Sequence, residues 1–293
     1  MTKSTLKPLL AIISTNFLWG LDFIVIDYMM DYVSAPIFTL VRIIVSLLIL
    51  LPMVFITKKG LHIDRADIPK FLAAGITGMS LYFTVEHAGT GLTSASFSAL
   101  IMATVPVFGI IGDKIFFGNK ITPFKIIFII ISIAGVYLLV SGEPMGISVL
   151  GFIAMVAAAI LWTAYLVLAK PISEKYDLAT LLCGLMLSAL AFQIPVAVIS
   201  QTVAPAHIEI TPTGIIVTVL SAIVCITIGD VLDMYAVAGL STTVVSAFEN
   251  VLPVTTVIFS FIIFGAMLTG MQIIGGILIL ASVTAITLTD NKK

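Results

Sequence analysis

The chain is a succession of apolar runs, each close to the ~20 residues needed to cross ~30 Å of hydrocarbon. Ten such runs follow one another at about 8–28, 35–57, 68–87, 92–113, 122–141, 147–168, 178–201, 214–236, 240–264 and 269–289. Charged residues make up 10% of the chain, against about 25% in a soluble domain, so a water-facing shell cannot be built from it. The runs are continuous rather than alternating, which points to helices and not to barrel strands. The expectation is an all-α polytopic protein with ten transmembrane helices and no inserted soluble domain.

Lys and Arg placement orients the spans. With the N-terminus in the cytoplasm, every basic residue except Arg42 falls at an inner segment, from Lys3 and Lys7 through Lys58, Lys59, Arg65, Lys70, Lys170 and Lys175 to Lys293. The outer loops hold Asp31, Glu143, His207 and Glu209 instead. This asymmetry supports an N-in, C-in protein of the cell membrane. Both cysteines, Cys183 and Cys225, lie inside apolar runs and read as small core residues rather than a disulfide. The first run lacks a small-residue cleavage site, so no cleavable leader is expected.

The two halves repeat each other. Trp19 matches Trp162 and Pro52 matches Pro195 at an offset of 143, while Pro106 matches Pro253 and Thr122 matches Thr269 at an offset of 147. The segment PVFGIIGDKIFFGNKIT aligns without gaps to PVTTVIFSFIIFGAMLT. The expected units are 1–143 and 144–293, five helices each. An odd number of helices forces the second copy to cross in the opposite sense, which is the inverted repeat of many secondary transporters.

The chain resembles the drug/metabolite transporter superfamily, in its ten-helix EamA type. The resemblance rests on Leu18-Trp19-Gly20 with Phe23, Arg42, the Thr93-Ser94-Ala95-Ser96 start of helix four leading to Pro106-Val107, then Pro253-Val254 and Gln272-Ile273-Ile274-Gly275-Gly276. It covers nearly the whole chain. It implies a transporter with a central cavity between the halves, formed mainly by helices one, three, four, six, eight and nine. The acid that the family often carries after the glycine ending helices four and nine is replaced here by Asn119 and Ala266.

Ionisable groups in a bilayer cost on the order of 2.5–3.5 kcal/mol even on the mildest scale, so each needs a partner or a wet cavity. Asp22 lies ~9 Å inside the outer end of helix one, and Arg42 lies at similar depth in helix two. Two readings stand: a structural ion pair, or a lock that substrate opens from one side. Asp27 and Asp31 read as solvated at the outer mouth. Glu86 and His87 read as interfacial groups ending helix three. Asp230 and Asp233, three apart on helix eight, share a side and form either a cation or proton site or an inner interfacial pair. Glu249 falls ~13 Å into helix nine beside Asn250, with no evident countercharge, and is the expected coupling residue. Trp19, Trp162, Tyr82 and Tyr165 could form an aromatic pocket attracting ammonium groups or simply pack. Pro106 and Pro253 should kink helices four and nine.

The three histidines, His62, His87 and His207, are scattered, and HExxH, GxSxG and Walker motifs are absent from the sequence. An intramembrane enzyme, a metal site and an ATP-driven pump are therefore poorly supported. With a net charge of −1, nucleic acid is not an expected partner, and no cofactor is called for. The leading expectation is a secondary transporter of a small organic solute by alternating access, with proton coupling as an option and lipid as its surroundings. Excess buried acid favours an amino acid, an amine or a related metabolite. A multidrug or organic-cation exporter of the same architecture, or a non-transporting scaffold or receptor, are the alternatives. A monomer suffices.

The topology is checked by single cysteines in a variant lacking Cys183 and Cys225. Lys58→Cys should be shielded from an impermeant maleimide in intact cells, and Glu143→Cys should be labelled. The opposite pattern would overturn the ten-helix arrangement.

Overall fold

The computed structural model describes residues 3–56, 60–105, 107–109, 122–141, 148–205, 208–239 and 251–290. Its helices come in the expected order. They are α1 Lys3–Met29, α2 Ala35–Ile56, α3 Arg65–Gly91, α4 Ala95–Met102, α5 Pro123–Ser141, α6 Val149–Ser173, α7 Leu178–Val203, α8 Pro212–Gly239, α9 Leu252–Phe264 and α10 Gly270–Asp290. Among the described residues, α1, α2, α3, α6, α7 and α8 are long and apolar enough to cross a membrane by length and composition. The others contribute shorter apolar stretches. Their outward faces carry large apolar side chains such as Leu48, Ile133 and Ile262, as a hydrocarbon solvent requires. This is a multi-pass membrane protein.

Several helices start where a polar side chain accepts an otherwise unpaired amide. Ser94 accepts the Phe97 N–H, Ser148 that of Gly151, Asp177 that of Thr180 and Thr211 that of Gly214. α9 closes on Gly265, whose left-handed φ of +66° suits glycine alone. Pro253 sits in the first turn of α9, where its missing N–H costs nothing. The kink expected at Pro253 turns on the residues before Val251. Residues 240–250, and Pro106 in helix four, lie outside the described residues.

Two contacts between connections establish the inverted repeat. At one face the Asp64 N–H donates to the Tyr176 hydroxyl, joining the α2–α3 connection to the α6–α7 connection. At the other face the Glu209 N–H donates to the Tyr32 carbonyl, joining α7–α8 to α1–α2. The second connection of one repeat therefore lies beside the first connection of the other. Packing follows the same symmetry: α3 packs against α6 and α7 of the other repeat, and α8 packs against α1 and α2.

Both crossing helices are locally wound into wider π-helical turns, over Gly75–Tyr82 in α3 and Ala222–Ile228 in α8. The starts are 147 residues apart, the offset seen for Thr122 and Thr269. Such a turn frees a backbone carbonyl, which must be satisfied inside a bilayer. In α8 the Thr227 hydroxyl donates to the Ala222 carbonyl at 2.8 Å, and the Ser46 hydroxyl approaches the same oxygen at 3.4 Å. In α3 the Ser80 hydroxyl donates to buried Gln193 of α7, which in turn donates to the Pro36 carbonyl of α2. Gly75 and Gly78 let α3 approach closely: a Cβ at Gly75 would strike the Leu185 carbonyl, and one at Gly78 the Tyr165 ring.

On the inner face Lys175 donates to both Asp64 and Asp67, Lys70 donates to Asp67, and the Tyr176 hydroxyl donates to Asp67 at 2.8 Å. These hydrogen bonds hold the Lys175 ammonium above its ordinary titration range. Its contribution is therefore complete below the unfolded lysine value and is lost only as pH rises through the higher folded one. Lys175→Met should lower the thermal midpoint of the detergent-solubilised protein at neutral pH, whereas Lys170→Met, outside the cluster, should leave it in place.

Candidate functional site: a central cavity beside a buried ion pair

A cavity of about 790 Å³, counting the space that opens from it, lies where α1, α3, α4, α6, α8 and α9 converge. Its walls are aromatic and acidic: Trp19, Tyr82, Phe83 and Trp162, with Asp22, Glu86 and Asp230. Trp19 and Trp162 meet edge to face at 6.1 Å, and the Trp162 ring lies 4.7 Å from that of Tyr82. Tyr165 is 2% exposed and stacks behind Trp162 at 4.9 Å, so it backs the wall and does not line it.

Asp22 and Arg42 meet. Arg42 Nη2 donates to both carboxylate oxygens of Asp22, at 2.6 and 2.7 Å. The guanidinium carbon lies 5.0 Å from the centroid of Phe38. Asp22 and Arg42 are 5% and 2% exposed, so both charges are removed from solvent.

Glu86 and His87 depart from expectation. α3 continues to Gly91 instead of ending near residue 87, which carries both inward. Each is at most 3% exposed. Arg42 Nη1 lies 3.1 Å from His87 Nε2, and His87 Nδ1 lies 2.8 Å from the Thr39 hydroxyl. Glu86 faces the cavity. The glycines at 89 and 91 read as a helix end in the sequence, and no apolar period beyond them marks the last turn. Asp27, expected in solvent, accepts the Ala95 N–H at the start of α4.

Asp230 belongs to the cavity and not to the inner interface: Gly229, before it, packs against the Trp19 indole nitrogen. One Asp230 carboxyl oxygen has no hydrogen-bond partner among the described residues. Asp233 is buried one turn further and does not line the cavity. At the 147 offset it is the counterpart of Glu86. Glu249 and Asn250 lie outside the described residues. Met102, the counterpart of Glu249, lines the cavity.

Removing one partner of a buried pair strands the other charge at a cost of about 3–5 kcal/mol. Asp22→Asn and Arg42→Gln should each destabilise strongly, and the double variant should regain much of the loss in a thermal-unfolding cycle. Additive losses would show that the two residues stand independently.

Comparison with known proteins agrees with this architecture. The EamA-like transporter family matches the chain twice, over residues 6–141 and 149–288. An uncharacterized transporter of Archaeoglobus fulgidus is 26% identical over 181 residues, 62% of this chain and 64% of that protein. A probable terminal-alkyne amino-acid exporter of Streptantibioticus cattleyicolor is 26% identical over 78% of this chain and 76% of its own length. The threonine/homoserine exporter RhtA of Salmonella typhimurium is 25% identical over 58% of this chain and 57% of its own. The matched region thus spans less than two thirds of the archaeal and Salmonella proteins. A protein of known crystal structure shares the fold, with a TM-score of 0.69 at 15% identity, covering 100% of this chain and 99% of the other. Two matches that together take in nearly every helix place the chain in the EamA-like transporter family.

Proposed function

We propose that the protein is a secondary transporter that moves a small organic solute bearing an amine through this cavity by alternating access. The observation that carries the reading is charge balance. Among the described residues three carboxyls line the cavity and no basic side chain does, and the guanidinium nearby is already committed to Asp22. The remaining carboxyls, Glu86 and Asp230, together with the aromatic walls, suit an ammonium group held by charge and by ring faces. The widened turns of α3 and α8 run alongside it and suit elements that rewind during access to alternate faces. Glu249, beside Asn250, is on its sequence position the alternative acid for proton coupling. The units 1–143 and 144–293 are taken as the two moving repeats.

Two relatives are named for export of amino acids, which favours an amino acid or a close metabolite. One observation favours a simple amine or organic cation instead: among the described residues no basic group on the cavity wall answers a substrate carboxylate. Proteoliposomes decide between them. Labelled threonine, homoserine and n-butylammonium are presented in parallel, with flux expected for at least one. Trp162→Ala should weaken that solute's apparent affinity roughly threefold to thirtyfold, as loss of a cation–ring contact would. Absence of flux for all three would overturn the reading and favour a scaffold.

A further inference from the structure

Arg42 fixes the protonation of His87. A guanidinium has donors and no acceptor. The 3.1 Å contact of Arg42 Nη1 with His87 Nε2 therefore requires Nε2 to offer a lone pair. The ring is then neutral, its single proton sits on Nδ1, and that proton is donated to the Thr39 hydroxyl at 2.8 Å. Phe83 stacks on the ring at an interplanar angle of 19° and holds its orientation.

The consequence falls on Glu86. Its Oε2 lies 3.6 Å from His87 Nε2. With Nε2 unprotonated the ring is neutral, so this approach is no ion pair, and at 3.6 Å it is too long for a hydrogen bond in either direction. Glu86 Oε2 is buried and has no hydrogen-bond partner among the described residues. The residue lines the cavity and is 3% exposed. The groups around it give no relief. Asp22 from α1 and Asp230 from α8 are acids, Arg42 from α2 is committed to Asp22 and His87, and Tyr82 is its own neighbour on α3. The described residues of α4, and the stretch of α6 that packs here, contribute no charged side chain.

We infer that the Glu86 carboxyl is the site where a primary ammonium and a proton exchange, one leaving as the other binds. This deepens the proposed function, on which it rests for its physiological setting. In the empty cavity Glu86 holds a proton. When R–NH₃⁺ enters, its N–H groups donate to the carboxylate, and the carboxyl proton passes to cavity water and leaves. No covalent bond to carbon or nitrogen forms or breaks, and one positive charge replaces another. His87 and Arg42 act as positioning residues: by withholding a proton from Nε2 they leave the carboxylate for the solute. Asp22 is set apart because its charge is already neutralised by Arg42, whose Nη2 meets both of its oxygens.

The test is proton release from purified, unbuffered full-length protein titrated with n-butylammonium chloride in a pH-stat. Wild type should release close to one proton per amine bound. Glu86→Asp should retain release. Glu86→Gln should release none and bind the amine about 10- to 100-fold more weakly, the loss of one charge-assisted hydrogen bond. Unchanged release in a folded Glu86→Gln protein would assign the proton to another acid and overturn the inference, as would amine binding to wild type without release. If Glu86→Gln does not fold, infrared difference spectra of wild type decide. The protonated-carboxyl band should fall on adding n-butylammonium, and a band that does not change overturns the inference. Release in the pH-stat without flux in proteoliposomes would overturn the transport reading and leave this exchange standing.

Discussion

The bidentate bond between Arg42 and Asp22 is the constraint around which the centre of the molecule is arranged. Two charges removed from solvent each carry a desolvation cost of several kcal/mol, offset here by the close geometry of the pair and by the hydrogen bonds of both Nη atoms, while Arg42 Nε has no partner among the described residues. Arg42 spends its Nη2 on Asp22 and its Nη1 on His87. That one side chain thereby fixes three helices, α1, α2 and α3, relative to one another. It also decides which nitrogen of His87 carries a proton, and among the described residues Glu86 Oε2 has no donor. The polarity of the cavity wall follows from that chain of commitments.

The repeat supplies the frame. Inversion sends α3 into the opposite half and α8 back, so each repeat is completed by a helix from the other. Both crossing helices widen into π-helical turns at matched offsets. Each carries a buried acid beyond that turn, Glu86 in one and Asp233 in the other. The halves have diverged in chemistry while keeping backbone geometry: Asp22 corresponds to Tyr165 and Arg42 to Leu185. The ion pair belongs to one half, and the equivalent positions of the other carry the uncharged Tyr165 and Leu185.

Much of this was legible before any coordinates. Helix number and order, the sidedness of Lys and Arg, the matched tryptophans and the Asp22–Arg42 partnership come from hydrophobic length, charge placement and depth counting. The role of Glu86 and His87 was not, because two glycines imitate a helix end and local sequence cannot reveal that α3 runs one turn further. The π-helical turns leave no mark in a hydrophobic period: in α8 the freed carbonyl is met by Thr227 of the same turn and approached by Ser46 of α2. The position of Tyr165 behind Trp162 likewise depends on how closely Gly78 lets α3 approach. Both are matters of packing between distant segments.

The edge-to-face contact of Trp19 with Trp162 has a consequence for how such a chain can change over generations. Equivalent positions of two related copies touch only on the axis that relates them. In an ancestor made of two identical five-helix chains, one codon would have furnished both rings, and every mutation there would have struck the contact twice. Joining the copies in a single gene releases the two sides from that identity. Residues one turn from the axis, such as Asp22 and Tyr165, can then become different, and a symmetric pore can acquire a preferred end.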